Sequence, residues 1–232
     1  MKELKKLWNT FTTFDKVYTI LFTLSLIAVQ LITDSTLVSL VCALLGIGHV
    51  ILVRKGHKYA MLLGAIQSLI YCIISFNAKI YGDFMLNIYN VFFLSYGYIQ
   101  WSKNSNGSQL EIRRLSKHRA LQVSLMAFGI YGLLVIFLHM VNGFNPYLDA
   151  TTTTLCIMGV YLMSNRYLEC WVALNLNNVI SVGLWTTLLL KGNPNAPVMM
   201  FMFGCYLVNS IYATKQWLDQ LNKGAEVVTY EK

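Results

Sequence analysis

The chain has 232 residues, of which 56% are hydrophobic and only 12% charged, against about 25% charged residues in an ordinary soluble domain. That balance excludes a large soluble domain and points to a polytopic membrane protein built from α-helices. The net charge of +8 is spread over short connections between apolar stretches, which excludes a basic surface for nucleic acid.

The N-terminal stretch M-K-E-L-K-K-L-W is basic, and the apolar run from Val17 to Ile32 that follows it ends in T-D-S-T without a small-residue cleavage pattern. It reads as an uncleaved first span. Seven more apolar stretches follow, at Leu37 to Val53, Tyr59 to Phe76, Phe84 to Trp101, Ala120 to Val141, Thr152 to Met163, Cys170 to Leu190 and Val198 to Trp217. Most are close to the ~20 residues needed to cross the hydrocarbon layer. The sixth is short and opens on Thr151 to Thr154, so it is expected to start in the headgroup layer near Asp149.

With eight spans and the N-terminus inside, Lys79 and Lys191 alone of the 18 Lys and Arg fall outside. The positive-inside rule then places both termini in the cytoplasm of a multi-pass protein of the cell membrane. Asp34, Asp83 and Asp149 precede the second, fourth and sixth spans and are expected to cap them, as Asn195 and Pro197 open the eighth. The longest connection, Ser102 to Arg119, is turn-rich and then basic and amphipathic, and is expected to lie on the inner leaflet.

Across that connection the sequence repeats itself weakly. Y-G-Y-I-Q-W at Tyr96 to Trp101 matches Y-A-T-K-Q-W at Tyr212 to Trp217, and Gln67 falls opposite Asn178 at nearly the same offset. The organisation that follows is a cytoplasmic N-terminus with an extra first span (1–35), a first three-helix bundle (36–101), a basic loop with a linker helix (102–147), a second three-helix bundle (148–217) and a tail (218–232). An odd number of linking spans makes the two bundles parallel repeats, with the substrate expected near the midplane between them.

The polar residues of the apolar stretches mark candidates for that site. Asn175, Asn177, Asn178 and Ser181 follow Trp171 within one span, where each amide needs a partner that lipid cannot supply. Gln67 on the third span, Asn87 and Asn90 on the fourth, and Tyr206 and Asn209 on the eighth extend the polar path. Interhelical glue is the alternative reading of such amides. Trp171, Trp185, Tyr71 and Tyr206 offer π faces to a flat ring or a cation, and the amides read hydroxyls or a carboxamide.

No phosphate-cradling loop, H-E-x-x-H, G-x-S-x-G or intramembrane carboxylate pair is apparent. An enzyme, a cofactor and a metal site are therefore not expected, and facilitated diffusion is the simplest mechanism. His49 and His139 stand alone in their stretches, and the five cysteines, Cys42, Cys72, Cys156, Cys170 and Cys205, read as packing residues.

The block L-M-S-N-R-Y-L-E-C-W-V-A-L-N-L-N-N-V-I-S, with I-Y-G-D-F-M-L-N and the paired Gln-Trp endings, resembles the PnuC-type vitamin transporters over roughly Leu37 to Trp217. The resemblance implies a 3+1+3 core like that of the SWEET sugar transporters, an extra N-terminal helix, and uptake of nicotinamide riboside without energy coupling. A cytosolic kinase would trap the substrate, and the resemblance leaves room for a homo-oligomer. Riboside carriers of the family typically carry W-x-x-W in the seventh span, whereas Leu174 follows Trp171 here, and Gln67 stands where many members have Asn. Thiamine, riboflavin and deoxynucleosides are therefore alternative substrates. A binding subunit of an ATP-driven uptake system is the alternative of another class.

Overall fold

The computed structural model describes residues 11–33, 35–103, 105–106, 109–110 and 112–230. Among them eight long helices follow one another: α1 (Thr13–Thr33), α2 (Leu37–Arg54), α3 (Tyr59–Asn77), α4 (Tyr81–Lys103), α5 (Lys117–Met140), α6 (Pro146–Ser164), α7 (Cys170–Leu190) and α8 (Ala196–Tyr230). A two-stranded hairpin, β1 (Ser105–Asn106) with β2 (Gln109–Leu110), interrupts the connection between α4 and α5.

Six of these helices are long and apolar enough to cross a membrane; α4 and α6 are the exceptions. Both owe their polarity to residues buried inside the protein, such as Asn87 and Asn90 of α4 and Asp149, Thr152 and Thr153 of α6. The lipid-facing load falls on α1 and α5. Leu24, Leu31, Phe128 and Leu133 are among their exposed side chains, and Leu138 is the one buried residue of α5.

Helices α2, α3 and α4 pack as one bundle and α6, α7 and α8 as another. The bundles meet through α2 against α8 and through α4 against α6, so the first helix of each rests on the last helix of the other. All four even-numbered helices begin at one end, here the upper end. There Thr36 donates to the Asn195 side chain at 2.5 Å, and Asp149 accepts the backbone N–H groups of Gly82 at 2.9 Å and Asp83 at 3.1 Å. At the lower end the indole of Trp217 donates to the Arg54 carbonyl and that of Trp101 to the Met163 carbonyl. The described cations of the connections divide accordingly, Lys79 and Lys191 above and the others below.

Several expected helix starts differ from what is observed. Asp34 lies outside the described residues; Thr36 caps α2, its hydroxyl accepting from the Ser39 N–H. Asp83 sits inside the first turn of α4 rather than before it. The sixth helix begins at Pro146, well before Thr152, and Asp149 lies within it, spending its carboxylate on the neighbouring α4. Polar residues that read as a headgroup segment are thus buried in protein, because the open donors of one helix start satisfy the acceptors of another. Gly82 permits this approach: a Cβ there would lie 2.5 Å from the Asp149 Oδ1. Helix α8 also continues beyond Trp217 to Tyr230, through residues read as a tail, since L-D-Q-L-N-K contains no helix breaker.

At the lower end α1 is tied to α2 by a buried ion pair. Asp15 accepts from Arg54, and Lys55 approaches the same carboxylate at 2.6 Å. The Arg54 guanidinium lies over the rings of Phe14 at 5.3 Å and Tyr212 at 4.9 Å, which joins α8 to the cluster.

Candidate functional site

Two apolar clusters close the space between the bundles. The upper one contains Tyr71, Ile80, Leu184, Trp185, Met199 and Phe203, and the lower one Val53, Leu94, Trp101, Met163, Trp171 and Trp217. Between them lies a cavity of about 120 Å³, room for about four waters. Helices α2, α3, α4, α6, α7 and α8 all contribute to its wall, whereas α1 and α5 do not.

Of the residues singled out in the sequence, Gln67, Asn87, Asn90, Trp171, Asn177, Asn178, Tyr206 and Asn209 line this cavity. Asn175 does not. It donates to Thr214 at 3.2 Å and accepts from Ser210 at 2.7 Å, which makes it a clamp between α7 and α8. Its neighbour Asn178 also touches Ser210, at 3.2 Å, but from the cavity side. One helical turn therefore carries both uses of an amide, packing and lining.

On the opposite wall Gln67 donates to the Tyr206 hydroxyl at 2.9 Å. That hydroxyl occupies the space a side chain at Gly46 would need, a Cβ there falling 1.6 Å from it. Asn209 donates to the Val50 carbonyl at 3.1 Å and so holds α8 to α2. Asn87 donates to the Asp83 carbonyl within its own helix.

Three buried polar atoms of the wall have no protein partner among the described residues: the Trp171 Nε1, the Asn90 Oδ1 and the Asn209 Oδ1. A buried donor or acceptor left unpaired costs about 1–3 kcal/mol, a cost that a partner reaching these residues would relieve. Trp171 is also packed edge-on to Trp217, with centroids 5.3 Å apart, which fixes its indole plane. Leu174 stands on the same wall, packed over Gly159.

The cavity also contains a carboxylate, Asp83, whose place in the sequence suggests only a helix cap. Asp83 is 5% exposed and lines the wall, and Asp149, wholly buried, lies beside it. The membrane segments therefore do bring two carboxylates together, contrary to expectation. The signal was present in the spacing, since Asp83, Asn87, Asn90 and Leu94 follow the i, i+4, i+7, i+11 pattern of one helix face. His49 also lines the wall, its Nδ1 donating to the Ala60 carbonyl at 2.8 Å. Trp185 lies behind the wall and donates to the Tyr71 hydroxyl at 3.0 Å. No group of three or more His, Cys, Asp or Glu capable of holding a metal occurs among the described residues.

The R-Y-x-E motif preceding Trp171 serves another purpose. Arg113 N–H donates to the Arg166 carbonyl and Leu168 N–H to the Arg113 carbonyl, both at 2.9 Å. Leu115 N–H donates to Glu169 at 3.1 Å, and Arg119 to the Tyr167 hydroxyl at 2.6 Å. The motif thus binds the connection before α5 across the lower end of the second bundle, and only its tryptophan reaches the cavity.

Comparison with known proteins agrees with this architecture. The chain is 29% identical over 222 residues to the nicotinamide riboside transporter PnuC of Neisseria mucosa, covering 92% of this chain and 84% of that protein. It is 25% identical over 210 residues to the protein of the same name from Haemophilus influenzae, covering 88% and 89%. The crystal structure of the Vitamin B3 transporter PnuC superimposes with a TM-score of 0.81 at 25% identity, over 94% of this chain and 95% of that one. The profile of the nicotinamide mononucleotide transporter family matches residues 36–219. That stretch contains every cavity-lining residue, and the chain belongs to this family.

Proposed function

We propose that this chain carries nicotinamide riboside across the cell membrane, down the gradient of the substrate itself. The observation that carries the reading is the cavity between the two bundles, with an indole, several amides and three unpartnered polar atoms on its wall. Relatives named for nicotinamide riboside transport support the choice of substrate. An aromatic ring stacks on an indole, and ribose hydroxyls pair with amides, which matches the residue types present. No described Lys or Arg lines the cavity, so a phosphate would meet no counter-charge, and the nucleoside is favoured over the nucleotide.

The arrangement of parallel bundles suits alternating access by rocking of one against the other. The lower end, where the connections carry most of the basic residues, faces the cytoplasm in this reading. A separate cytosolic kinase then draws uptake forward by phosphorylating the product. Purified chain in liposomes should equilibrate nicotinamide riboside without responding to a proton or sodium gradient. Accumulation above the external concentration under an imposed proton or sodium gradient, with the membrane potential held at zero, would overturn the passive mechanism, and no uptake at all would overturn the substrate or point to an ATP-driven partner. A reporter fused after Lys232 should be cytoplasmic and one at Lys191 external; the reverse would invert the topology.

One observation favours thiamine as a second reading. Leu174 holds the wall position next to Trp171 where a second indole would be expected in a riboside carrier. Leu174→Trp should shift preference toward nicotinamide riboside, and titration of both vitamins against the two proteins tests this.

A further inference from the structure

Both vitamins considered above carry a permanent positive charge on an aromatic ring, a pyridinium in one and a thiazolium in the other. Among the described residues the cavity wall carries one carboxylate, Asp83, and one imidazole, His49, with no Lys, Arg or Glu. How Asp83 is supported is decisive. The N–H groups at the start of α4, which would ordinarily meet the charge of an acid in the first turn, are taken by Asp149: Gly82 and Asp83 both donate to it, as does the Thr153 hydroxyl at 3.4 Å. Among the described residues Asp83 is left with a single side-chain hydrogen bond, from the Tyr71 hydroxyl at 3.1 Å. That hydroxyl is in turn oriented by the Trp185 indole, whose N–H occupies its acceptor side and turns its proton toward the carboxylate.

A carboxyl removed from water and given one neutral donor is costly in its charged form unless a positive partner joins it. The surroundings decide which kind. Tyr71, Phe203 and Tyr206 line the same part of the cavity, with Phe203 edge-on to Tyr71 at 6.4 Å and to Tyr206 at 5.8 Å. A metal ion would need several hard or ligating groups, which the described residues do not gather here. Aromatic faces beside one carboxylate instead suit a delocalised organic cation, which is weakly hydrated and gains from both.

We infer that Asp83 is a specificity-determining residue of the cavity, supplying the counter-charge for a cationic aromatic ring so that the carrier selects the charged form of its substrate over an uncharged isostere. The inference rests on the proposed nicotinamide riboside site and assigns it a charge requirement. Asp149 acts as a positioning residue: by occupying the start of α4 it leaves Asp83 for the ligand.

Nicotinamide riboside and its 1,4-dihydro form provide the test, because they share size and hydroxyl groups and differ in the charge of the ring. Equilibrium binding to the purified full chain should favour the cation by about tenfold to a hundredfold. In Asp83→Asn, which keeps the shape and can still accept from Tyr71, that ratio should fall toward one, chiefly through weaker binding of the cation. Equal binding of the two forms by the unaltered chain would overturn the inference, and that comparison needs no variant to fold. A parallel loss of both ligands in a folded Asp83→Asn would overturn it as well. Failure of the unaltered chain to bind either form would instead remove the nicotinamide riboside reading, and this inference with it.

Discussion

Trp101 and Trp217 face each other at the lower end with ring centroids 6.4 Å apart, and each donates its indole N–H to the final turn of the opposite bundle's first helix. Trp217 meets the Arg54 carbonyl at 3.1 Å and Trp101 the Met163 carbonyl at 3.3 Å. The last carbonyls of a helix have no partner within it, and near the hydrocarbon layer water is scarce. The two indoles therefore lock the bundles together by the same device used twice. The repeated Gln-Trp endings of the sequence are the trace of that device.

The two locks are unequal. The Met163 carbonyl also accepts the Arg166 N–H at 2.9 Å, whereas Trp217 is the described partner of the Arg54 carbonyl. Trp217→Phe should cost about 1–3 kcal/mol because it leaves that carbonyl buried and unpaired, and Trp101→Phe about 1 kcal/mol or less. Thermal unfolding of both variants in the same detergent checks this. Equal losses would show that the hydrogen bonds do not set the difference.

Gly82→Ala tests the upper end. The added methyl would sit 2.5 Å from the Asp149 Oδ1 and 2.7 Å from the Thr153 Oγ1, forcing the carboxylate off the start of α4. A destabilisation of about 1–3 kcal/mol is expected, with Gly82→Ser no better. An unfolding midpoint matching that of the unaltered chain would mean the two helices can separate there at no cost.

The Asp15–Arg54 pair predicts a non-additive cycle. Both side chains are fully buried, so Asp15→Ala should cost about 3–5 kcal/mol by leaving a buried guanidinium unmatched. Adding Arg54→Met should recover much of that loss, since the uncompensated charge is gone. Additive losses in the double variant would place the Arg54 contribution in its packing on Phe14 and Tyr212 instead.

Amides on one helix should separate into two phenotypes. Trp171→Ala and Asn178→Ala, both on the cavity wall, should weaken substrate binding by roughly 10- to 100-fold with the fold intact. Asn175→Ala removes the bonds to Thr214 and Ser210 and should lower stability by about 0.6–1.7 kcal/mol while binding stays near that of the unaltered chain. Calorimetric titration alongside thermal unfolding distinguishes them. An inverted pattern would move the site off this face of α7.

Hydropathy, the distribution of Lys and Arg and the two Gln-Trp endings were enough to read eight helices and a duplicated bundle from the sequence, because each of these signals is local or periodic. The amides of α7 were equally legible, since an amide in an apolar helix is costly wherever it points. Which side of the helix each amide occupies was not legible. Asn175 and Asn178 are three residues apart, and only the packing of α8 against α7 directs one toward Thr214 and the other toward the cavity. The acids near the helix starts, too, were read by sequence neighbourhood, which assigns a carboxylate to its own helix. The tertiary structure instead gave Asp149 to the start of α4 and left Asp83 on the cavity wall, because the open donors of a helix end bind whatever acceptor packing brings to them.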